Sequence, residues 1–349
     1  MAESHVIGCL LGTAVGDALG LPYEGVSRCR APRLLGPSDQ HRFLLRHGMV
    51  SDDTEHTCMV AQSLIATAEI DTFTHDFARR LRWWFLSLPA GIGRATLRSS
   101  LKLWFGVSPR FSGVFSAGNG PAMRAAIFGA AIDDVERLVS YVRASSRITH
   151  SDPKAEFGAI AVAMATFMAR HNSLIAPTEY VDRVTDIIGV DGDELTTLLR
   201  NVTESVSDGQ STLEFASHSG LERGITGYTY HTVPVVIHAW LSNQGDYRRA
   251  VTSVIECGGD ADTTAAIVGG IVGTATGESG IPTEWITSIC EWPRSISWMR
   301  RLAEQLSHSL AGATTQKPIG LNPIAILARN LVFLIVVLFH GFRRLFPPY

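Results

Sequence analysis

Two short acidic segments stand where helical patterns begin. Residues 51–54 read Ser-Asp-Asp-Thr and residues 258–264 read Gly-Gly-Asp-Ala-Asp-Thr-Thr, so each places carboxylates and hydroxyls at a helix start. The free N–H groups and the positive end of a helix stabilise ionised carboxylates there. Helix capping is the simple alternative, but a cap needs only one side chain. Adjacent acids repel one another unless a cation offsets their charge, so the doubled acids favour a metal site.

The donors in both segments are oxygen atoms, without a His or Cys partner. Carboxylates and hydroxyls suit Mg²⁺ or Mn²⁺ and argue against zinc. If the two segments meet in space, their four carboxylates could hold a pair of ions. The sequence alone leaves that meeting open.

A third acidic element lies near the start of the chain, at residues 12–24. Gly12, Gly16 and Gly20 share one helix face, which permits close helix packing and predicts a central helix. Asp17 lies in this apolar stretch, so we expect it to be paired inside the core. Glu24 follows the helix end and is freer to face a cleft, where loop residues often carry catalytic groups.

These elements resemble the signature of the ADP-ribosylglycohydrolase family. The chain carries, in order, GDALGLPYEG from residue 16, SDDTEHT from 51, Gly-Asn-Gly followed by Met-Arg within 118–124, Thr-His-Ser-Asp-Pro at 149–153 and GGDADTTAAIVGG from 258. The resemblance runs from about Val6 to about Arg301. It implies an all-α fold with a binuclear metal cleft, two Mg²⁺ or Mn²⁺ ions, and ADP-ribose as the recognised group.

The resemblance also implies roles for individual positions. One ion would be held by Ser51, Asp52, Asp53 and Asp262, and the other by Asp260, Asp262 and Thr263. The predicted catalytic residues are Glu24, Asp53 and Asp260, with Glu24 acting either as the proton-transfer group or as a gate on the metal site. Thr is more usual in the family where this chain has Ser51, and the hydroxyl is retained.

A glycine turn at residues 118–120 is typical of phosphate contact, because glycine lets backbone N–H groups approach an anion. An ordinary turn is the alternative. The substrate-binding residues implied by the resemblance are Gly118, Asn119, Gly120, Met123, Arg124, His150, Gly227 and Tyr228. For Arg124 a core carboxylate remains an alternative to a diphosphate, and for Tyr228 loop anchoring remains an alternative to base stacking. His56 is interpreted as structural.

One segment departs from the pattern of some bacterial family members. Those that release ADP-ribose from arginine carry Asp-Ile-Gly between the second motif and the Gly-Asn-Gly loop, and this chain has Gly91, Ile92 and Gly93 there. Arginine specificity is therefore not assumed.

The elements that must position these residues are helical. Apolar residues recur at helical spacing in nine segments and strand-like alternation is almost absent, which independently predicts a compact all-α architecture. The nine segments are 54–70, 73–88, 134–144, 155–170, 178–188, 233–241, 247–256, 263–273 and 296–310. No linker interrupts the first three hundred residues, so we expect one catalytic domain over residues 1–311 and a tail over 312–349.

Composition excludes several classes of protein. The formal net charge is −3 and no basic run is interleaved with aromatics, so nucleic acid is not expected as a partner. The five cysteines are scattered without metal-like spacing, which indicates a reducing compartment and predicts a cytoplasmic protein. An early Glu3 in place of a positive segment argues against a signal peptide.

The tail contains an uninterrupted apolar run at residues 331–339, and no acidic residue occurs from 305 to 349. Two interpretations of this run remain open. In the first, it forms a membrane-associated helix that spans the bilayer or lies in its interface. In the second, it forms a helix that packs on the body of the protein or on another subunit.

The sequence therefore predicts a metal-dependent hydrolase that cleaves the bond at C1 of the distal ribose in an ADP-ribosylated protein or a small ADP-ribosyl conjugate. One alternative is another metal-dependent hydrolase acting on a phosphate ester or on free ADP-ribose derivatives. A second is an ADP-ribose-binding or toxin-neutralising protein of the same fold, and a third is a structural module tethered to a membrane.

Overall fold

The computed structural model describes residues 2–172 and 174–347. These residues form seventeen α-helices, four short 3-10 helices and isolated backbone bridges without an extended sheet, which confirms the predicted all-α class. The α-helices are α1 (Ala2–Gly20), α2 (Ala31–Leu35), α3 (Asp52–Ala66), α4 (Ile70–Leu86), α5 (Arg94–Trp104), α6 (Ala126–Ala131), α7 (Val135–Thr149), α8 (Pro153–His171), α9 (Pro177–Ile188), α10 (Asp193–Ser207), α11 (Thr212–His218), α12 (Thr229–Ser242), α13 (Tyr247–Cys257), α14 (Ala261–Thr276), α15 (Thr283–Thr287), α16 (Ile296–Ala311) and α17 (Pro323–Arg343). The 3-10 helices are Leu21–Tyr23, Ala122–Arg124, Val190–Gly192 and Glu278–Gly280.

The centre of the fold is α1, which packs lengthwise against α14. A Cβ atom added at Gly16 would lie 2.0 Å from the carbonyl oxygen of Ala265, and one added at Gly12 would lie 2.2 Å from that of Gly269. The two helices are therefore in backbone contact along this face. Only residues without a side chain permit that approach, so the prediction of a central, glycine-faced helix is confirmed.

All nine helical segments predicted from apolar spacing fall on observed helices, with shifted ends. The spacing did not reveal α5 or α10. In α5 the buried positions include Ser99 and Ser100 whereas Leu97 and Leu101 are exposed, so apolar residues do not mark its inward face.

The apolar run of the tail forms α17, and one face of this helix packs on the body. Phe333 joins Leu21, Phe43 and Met49 in a small core separate from the main one. The His340 ring nitrogen Nε2 lies 2.6 Å from the carbonyl oxygen of Phe43. This packing agrees with the interpretation that the tail docks on the body. The boundary at residue 312 stays a prediction.

Buried ion pairs anchor the same helix next to α3. Arg329 donates to Glu291 Oε1 at 2.7 Å and to the carbonyl oxygen of Val50 at 2.5 Å, while Glu291 Oε2 accepts the Val50 N–H at 3.1 Å. Arg294 donates to Glu55 Oε1 at 2.7 Å. Burial alone would raise the pKa of Glu55, yet Arg294 and Arg329 hold it below its usual value. The tail thus contacts the residue that directly precedes the first acidic segment.

Two helices among the described residues are long and apolar enough to cross a membrane by length and composition alone, Glu3–Tyr23 and Pro323–Arg343. The first is 94% buried inside the fold, as a core helix is, whereas the second is 28% buried.

Replacing Gly16 with alanine should destabilise the protein, because the new methyl group would meet the backbone of α14. We expect a loss of about 1–3 kcal/mol or more in the free energy of unfolding, measured by urea denaturation. The matched control is Gly341→Ala, where an added Cβ meets nothing within 4 Å in the exposed part of α17. This variant should be unchanged or up to about 1 kcal/mol more stable. Equal stability of both variants would show that the α1–α14 contact is not as close as described.

Candidate active site

Asp17 of α1 holds the first acidic segment in place. Its carboxylate accepts the backbone N–H of Ser51 at 2.8 Å, and from Thr54 both the N–H at 3.2 Å and the hydroxyl at 2.5 Å. Burial raises the pKa of Asp17 to about 6, although these donors act to lower it. The prediction that this acid is paired in the core is confirmed, and its partners fix the first turn of α3.

Asp53 is the point where the two acidic segments meet. Ser51 caps α3, and its hydroxyl lies 3.0 Å from Asp53 Oδ2. Thr263, in the first turn of α14, donates its hydroxyl to the same oxygen at 3.3 Å. Two helix starts that are far apart in the sequence therefore converge on one carboxylate.

Two glycines turn the backbone into α14. Gly258 and Gly259 have φ values of 71° and 83°, in the left-handed region that favours glycine. A Cβ atom on Gly259 would lie 1.9 Å from the carbonyl oxygen of Ile225. Gly25 donates its N–H to the Gly259 oxygen at 2.7 Å, and Asp260 donates to the Ile225 oxygen at 2.9 Å. The loops around residues 25, 225 and 259 are thus joined by backbone hydrogen bonds.

The four aspartates of these helix starts concentrate negative charge. Burial, followed by repulsion from neighbouring carboxylates, raises the pKa values of Asp52, Asp53 and Asp262 well above their usual range, and burial raises that of Asp260. The Oδ1 atoms of Asp53 and Asp262 are buried without a hydrogen-bond partner. Unpaired buried acceptors are costly, and an oxygen-only set of this kind suits a hard divalent cation.

No group of three or more Asp, Glu, His or Cys side chains within the described residues is placed to hold a metal ion. The aspartates form an open, oxygen-rich wall.

The wall borders a cleft of about 540 Å³. Ser51 and Asp53 are buried next to it, behind the lining residues. The predicted site residues that line the cleft are Glu24, Asp52, Gly118, Asn119, Gly120, Met123, His150, Gly227, Asp260, Asp262 and Thr263.

The glycine turn at 118–120 is tied to the acidic wall. Asn119 donates its side-chain amide to Asp260 Oδ2 at 2.6 Å and its backbone N–H to the carbonyl oxygen of Gly227 at 2.9 Å. A Cβ atom on Gly120 would lie 2.8 Å from the His150 ring, so the turn rests directly on that ring. Burial lowers the pKa of His150 to about 3, which keeps the imidazole neutral at ordinary pH.

Arg124 lies beneath this turn and does not line the cleft. It is fully buried, and its guanidinium engages the hydroxyl and carbonyl of Ser145, the Thr149 hydroxyl, the Gly120 carbonyl and His56 Nδ1. These contacts use all five N–H groups. The expected direct contact of Arg124 with a diphosphate is therefore corrected, since its donors are already satisfied inside the protein.

Tyr228 also points away from the cleft, towards a neighbouring cavity of about 220 Å³. Its hydroxyl accepts from Lys154 Nζ at 3.1 Å, and its ring lies against Tyr230 and His231. Base stacking in the cleft does not fit this placement, whereas the alternative that Tyr228 anchors its loop does.

Several cleft residues were missed by the sequence analysis. Arg94 and Thr96 belong to α5, which the apolar spacing did not predict, and Ser116 and Thr226 flank the glycine loops. Arg94 is the arginine that lines the cleft in the described part of the chain, and it is exposed. In the sequence, Arg94 directly follows Gly91–Gly93, where this chain departs from some bacterial family members, and that position could have pointed to it.

Comparison with known proteins agrees with this architecture. Residues 1–316 match the ADP-ribosylglycohydrolase family. The chain belongs to that family. It is 27% identical to the ADP-ribosylhydrolase ARH3 of Gallus gallus over 81% of this chain and 88% of the relative. It is 26% identical to the ADP-ribosyl-[dinitrogen reductase] glycohydrolase of Rhodospirillum rubrum over 82% and 90%.

A solved structure described as an ADP-ribosylglycohydrolase-related protein complex has a TM-score of 0.60 at 23% identity, covering 88% of this chain and 98% of that one, which shows the fold. Membership in the ADP-ribosylglycohydrolase family makes this protein a hydrolase.

Helix α17 lies beyond the residues that match the family. Directly after it, Arg344 donates to the carbonyl oxygen of Pro22 at 3.2 Å, and its Nη1 lies 3.8 Å from where a Cβ on Gly25 would be. Burial and Asp260 raise the pKa of Glu24, while the positive charge of Arg344 acts to lower it. The tail thus places a cation beside a carboxyl of the cleft.

Without divalent ions, the Asp53→Asn variant should be more stable than the wild type at pH 7.5. The pKa of Asp53 is raised on folding, so its contribution to stability is present below its ordinary value near 3.8 and is lost as pH rises through the folded value. We expect the variant to raise Tm by about 2 °C or more in EDTA. Added Mg²⁺ should raise the Tm of the wild type but not of the variant.

The matched control is Asp186→Asn, an exposed aspartate on α9 whose replacement should leave Tm unchanged. A lower Tm for metal-free Asp53→Asn would contradict the interpretation that this carboxylate cluster is electrostatically unfavourable without cations.

Proposed function

We propose that this protein is a metal-dependent hydrolase that removes ADP-ribose from a modified protein side chain or a small conjugate by cleaving the bond at C1 of the distal ribose. The observation that carries the proposal is the convergence of two acidic helix starts beside one cleft, through the contact of Thr263 with Asp53. Membership of the family supports ADP-ribose as the recognised group.

Two Mg²⁺ or Mn²⁺ ions are the proposed cofactors. The unpaired Oδ1 atoms of Asp53 and Asp262 and the raised pKa values of the aspartates fit this assignment. The proposed ligands are Ser51, Asp52, Asp53 and Asp262 for one ion, and Asp260, Asp262 and Thr263 for the other. When bound, such ions offset carboxylate charge, orient sugar hydroxyls and make a water molecule more acidic.

Glu24 is the cleft carboxyl that belongs to neither proposed ligand set. Burial and repulsion from Asp260 favour its protonated form, while Arg344 favours the ionised form. A raised pKa suits a carboxyl that holds a proton and donates it during the reaction. We assign proton transfer to the departing group to Glu24. Asn119 acts on a different part of the site, because its amide fixes the orientation of Asp260.

For substrate binding, we propose that the turn at 118–120 approaches the diphosphate over the neutral His150 through the backbone N–H groups of Gly118 and Gly120, since that of Asn119 is donated to Gly227. Arg124 is engaged inside the protein. We therefore assign the positive charge that binds the diphosphate to Arg94 of α5, which lines the cleft.

The Arg94→Ala variant should bind ADP-ribose about tenfold more weakly, which corresponds to one charge-assisted hydrogen bond. Isothermal titration calorimetry measures the dissociation constant. Arg98→Ala is the matched control, because Arg98 is exposed on the same helix but does not line the cleft. Equal affinities of the two variants would remove Arg94 from the binding site.

One edge of the cleft bears on which ADP-ribosyl linkage is cleaved. Gly91 and Gly93 line the cleft, and an added Cβ at either position meets nothing within 4 Å. The cleft edge therefore lacks the carboxylate that the sequence resemblance associates with release from arginine. We propose that the linkage is one that does not need an acid at this position.

The deciding experiment measures release of ADP-ribose from Arg-linked protein, Ser-linked protein and O-acetyl-ADP-ribose, with Mg²⁺ and after EDTA. We expect metal-dependent release from at least one substrate. Asp260→Ala should lower the rate by more than about 100-fold, since loss of even an outer partner of a metal ligand costs 10- to 100-fold. Asp186→Asn serves as the control and should keep the wild-type rate.

Tight ADP-ribose binding without release from any substrate would contradict the hydrolase proposal and favour the binding protein. Release that persists fully in EDTA would contradict the metal dependence.

A further inference from the structure

The outward face of α17 is apolar along its whole length. Of the 23 exposed large hydrophobic residues in the described part of the chain, eleven lie between Ile324 and Phe346. Those on the helix include Ile324, Leu331, Ile335, Leu338 and Phe342, at spacings that share one side. Large apolar patches on soluble proteins usually mark interaction sites, so this face is a candidate docking surface.

Exposed hydrophobic residues from other elements continue this patch. Trp83 and Leu86 of α4 border a groove together with Ile324 and Leu327. Leu45 is 87% exposed and lies two residues after Phe43, which packs on α17.

Trp292 is 58% exposed and follows Glu291, the partner of Arg329. Trp83 and Leu86 thus share a groove with α17, and Leu45 and Trp292 each lie next in the chain to segments that contact it. Two of these four residues are tryptophan, a residue typical of membrane interfaces.

The opposite face of α17 is fixed to the body. Arg329, Asn330, Phe333 and His340 are all buried and span most of the helix. A helix held along its length in this way lies parallel to the protein surface and cannot cross a bilayer while it stays docked. The geometry suits a helix lying in the interface plane.

The charges around this face distinguish a second copy of the chain from a lipid surface as its partner. Arg46, Lys317 and Arg343 are exposed at its ends and flank, and no acidic residue occurs in residues 305–349. A two-fold contact between copies presents the same patch to itself, so these cations would face one another. An anionic lipid surface instead attracts them.

We propose that the surface formed by the outward side of α17 with Leu45, Trp83, Leu86 and Trp292 docks on an anionic membrane surface, with α17 remaining packed on the catalytic body. This inference concerns a surface outside the cleft and does not depend on the linkage that is cleaved.

The test is co-sedimentation of the full chain with vesicles of phosphatidylcholine containing one quarter phosphatidylserine, compared with phosphatidylcholine alone. We expect binding to the anionic vesicles, weakening as salt rises from 50 to 500 mM, an order-of-magnitude change in ionic strength that screens surface charge. The double variant Ile335→Asp and Phe339→Asp should bind at least tenfold more weakly. These side chains are 67% and 64% exposed, so the fold should be retained, which its thermal unfolding curve checks.

Val190→Asp is the matched control, since Val190 is 83% exposed in a 3-10 helix between α9 and α10. It should bind as the wild type does. Failure to sediment with either vesicle, or equal binding to neutral and anionic vesicles, would overturn the proposal. So would a stable dimer in light scattering that the double variant abolishes, because the face would then be a subunit interface.

Discussion

The site depends on the backbone contact between α1 and α14. Side chains at the facing positions of α1 would push the helices apart, and the bare glycines let the carbonyl of Ala265 approach to within 2.0 Å of where a Cβ at Gly16 would be. Asp17, next to that contact, can then reach the start of α3, while the start of α14 lies at the end of the same helix pair. Close packing in the core is therefore what brings separate acidic segments to one cleft.

The buried acidic residues of this protein are of two kinds. Glu55 and Glu291 are matched by Arg294 and Arg329, and their role is to hold elements together. The aspartates of the cleft form no salt bridge among the described residues, and Asp52, Asp53 and Asp262 raise their pKa values through burial and mutual repulsion. Arg344 acts on Asp262 and Arg124 on Asp52 without a direct contact, so the carboxylates are only partly offset by charges of the chain itself.

Much of this site was predictable from residue types and spacing, because the glycine face and the doubled acids have local physical causes. The meeting of the two acidic segments was not, since it depends on the packing of distant helices. Arg124 illustrates a second limit: its position in a motif does not reveal that its guanidinium points into the core. The helix bearing Arg94 was missed because serines occupy part of its buried face.

The two sides of the cleft differ in how they are built. On one side, backbone hydrogen bonds link residues 25, 259 and 225, and a further bond joins Asn119 to Gly227, so these loops form a single rigid unit. On the other side, Gly91 and Gly93 have open space around them. A side chain at Gly93 would enter open space, whereas one at Gly91 would be strained by the positive φ of that residue. This edge of the cleft can therefore gain a side chain at residue 93 without loss of the hydrogen bonds that hold the acidic wall.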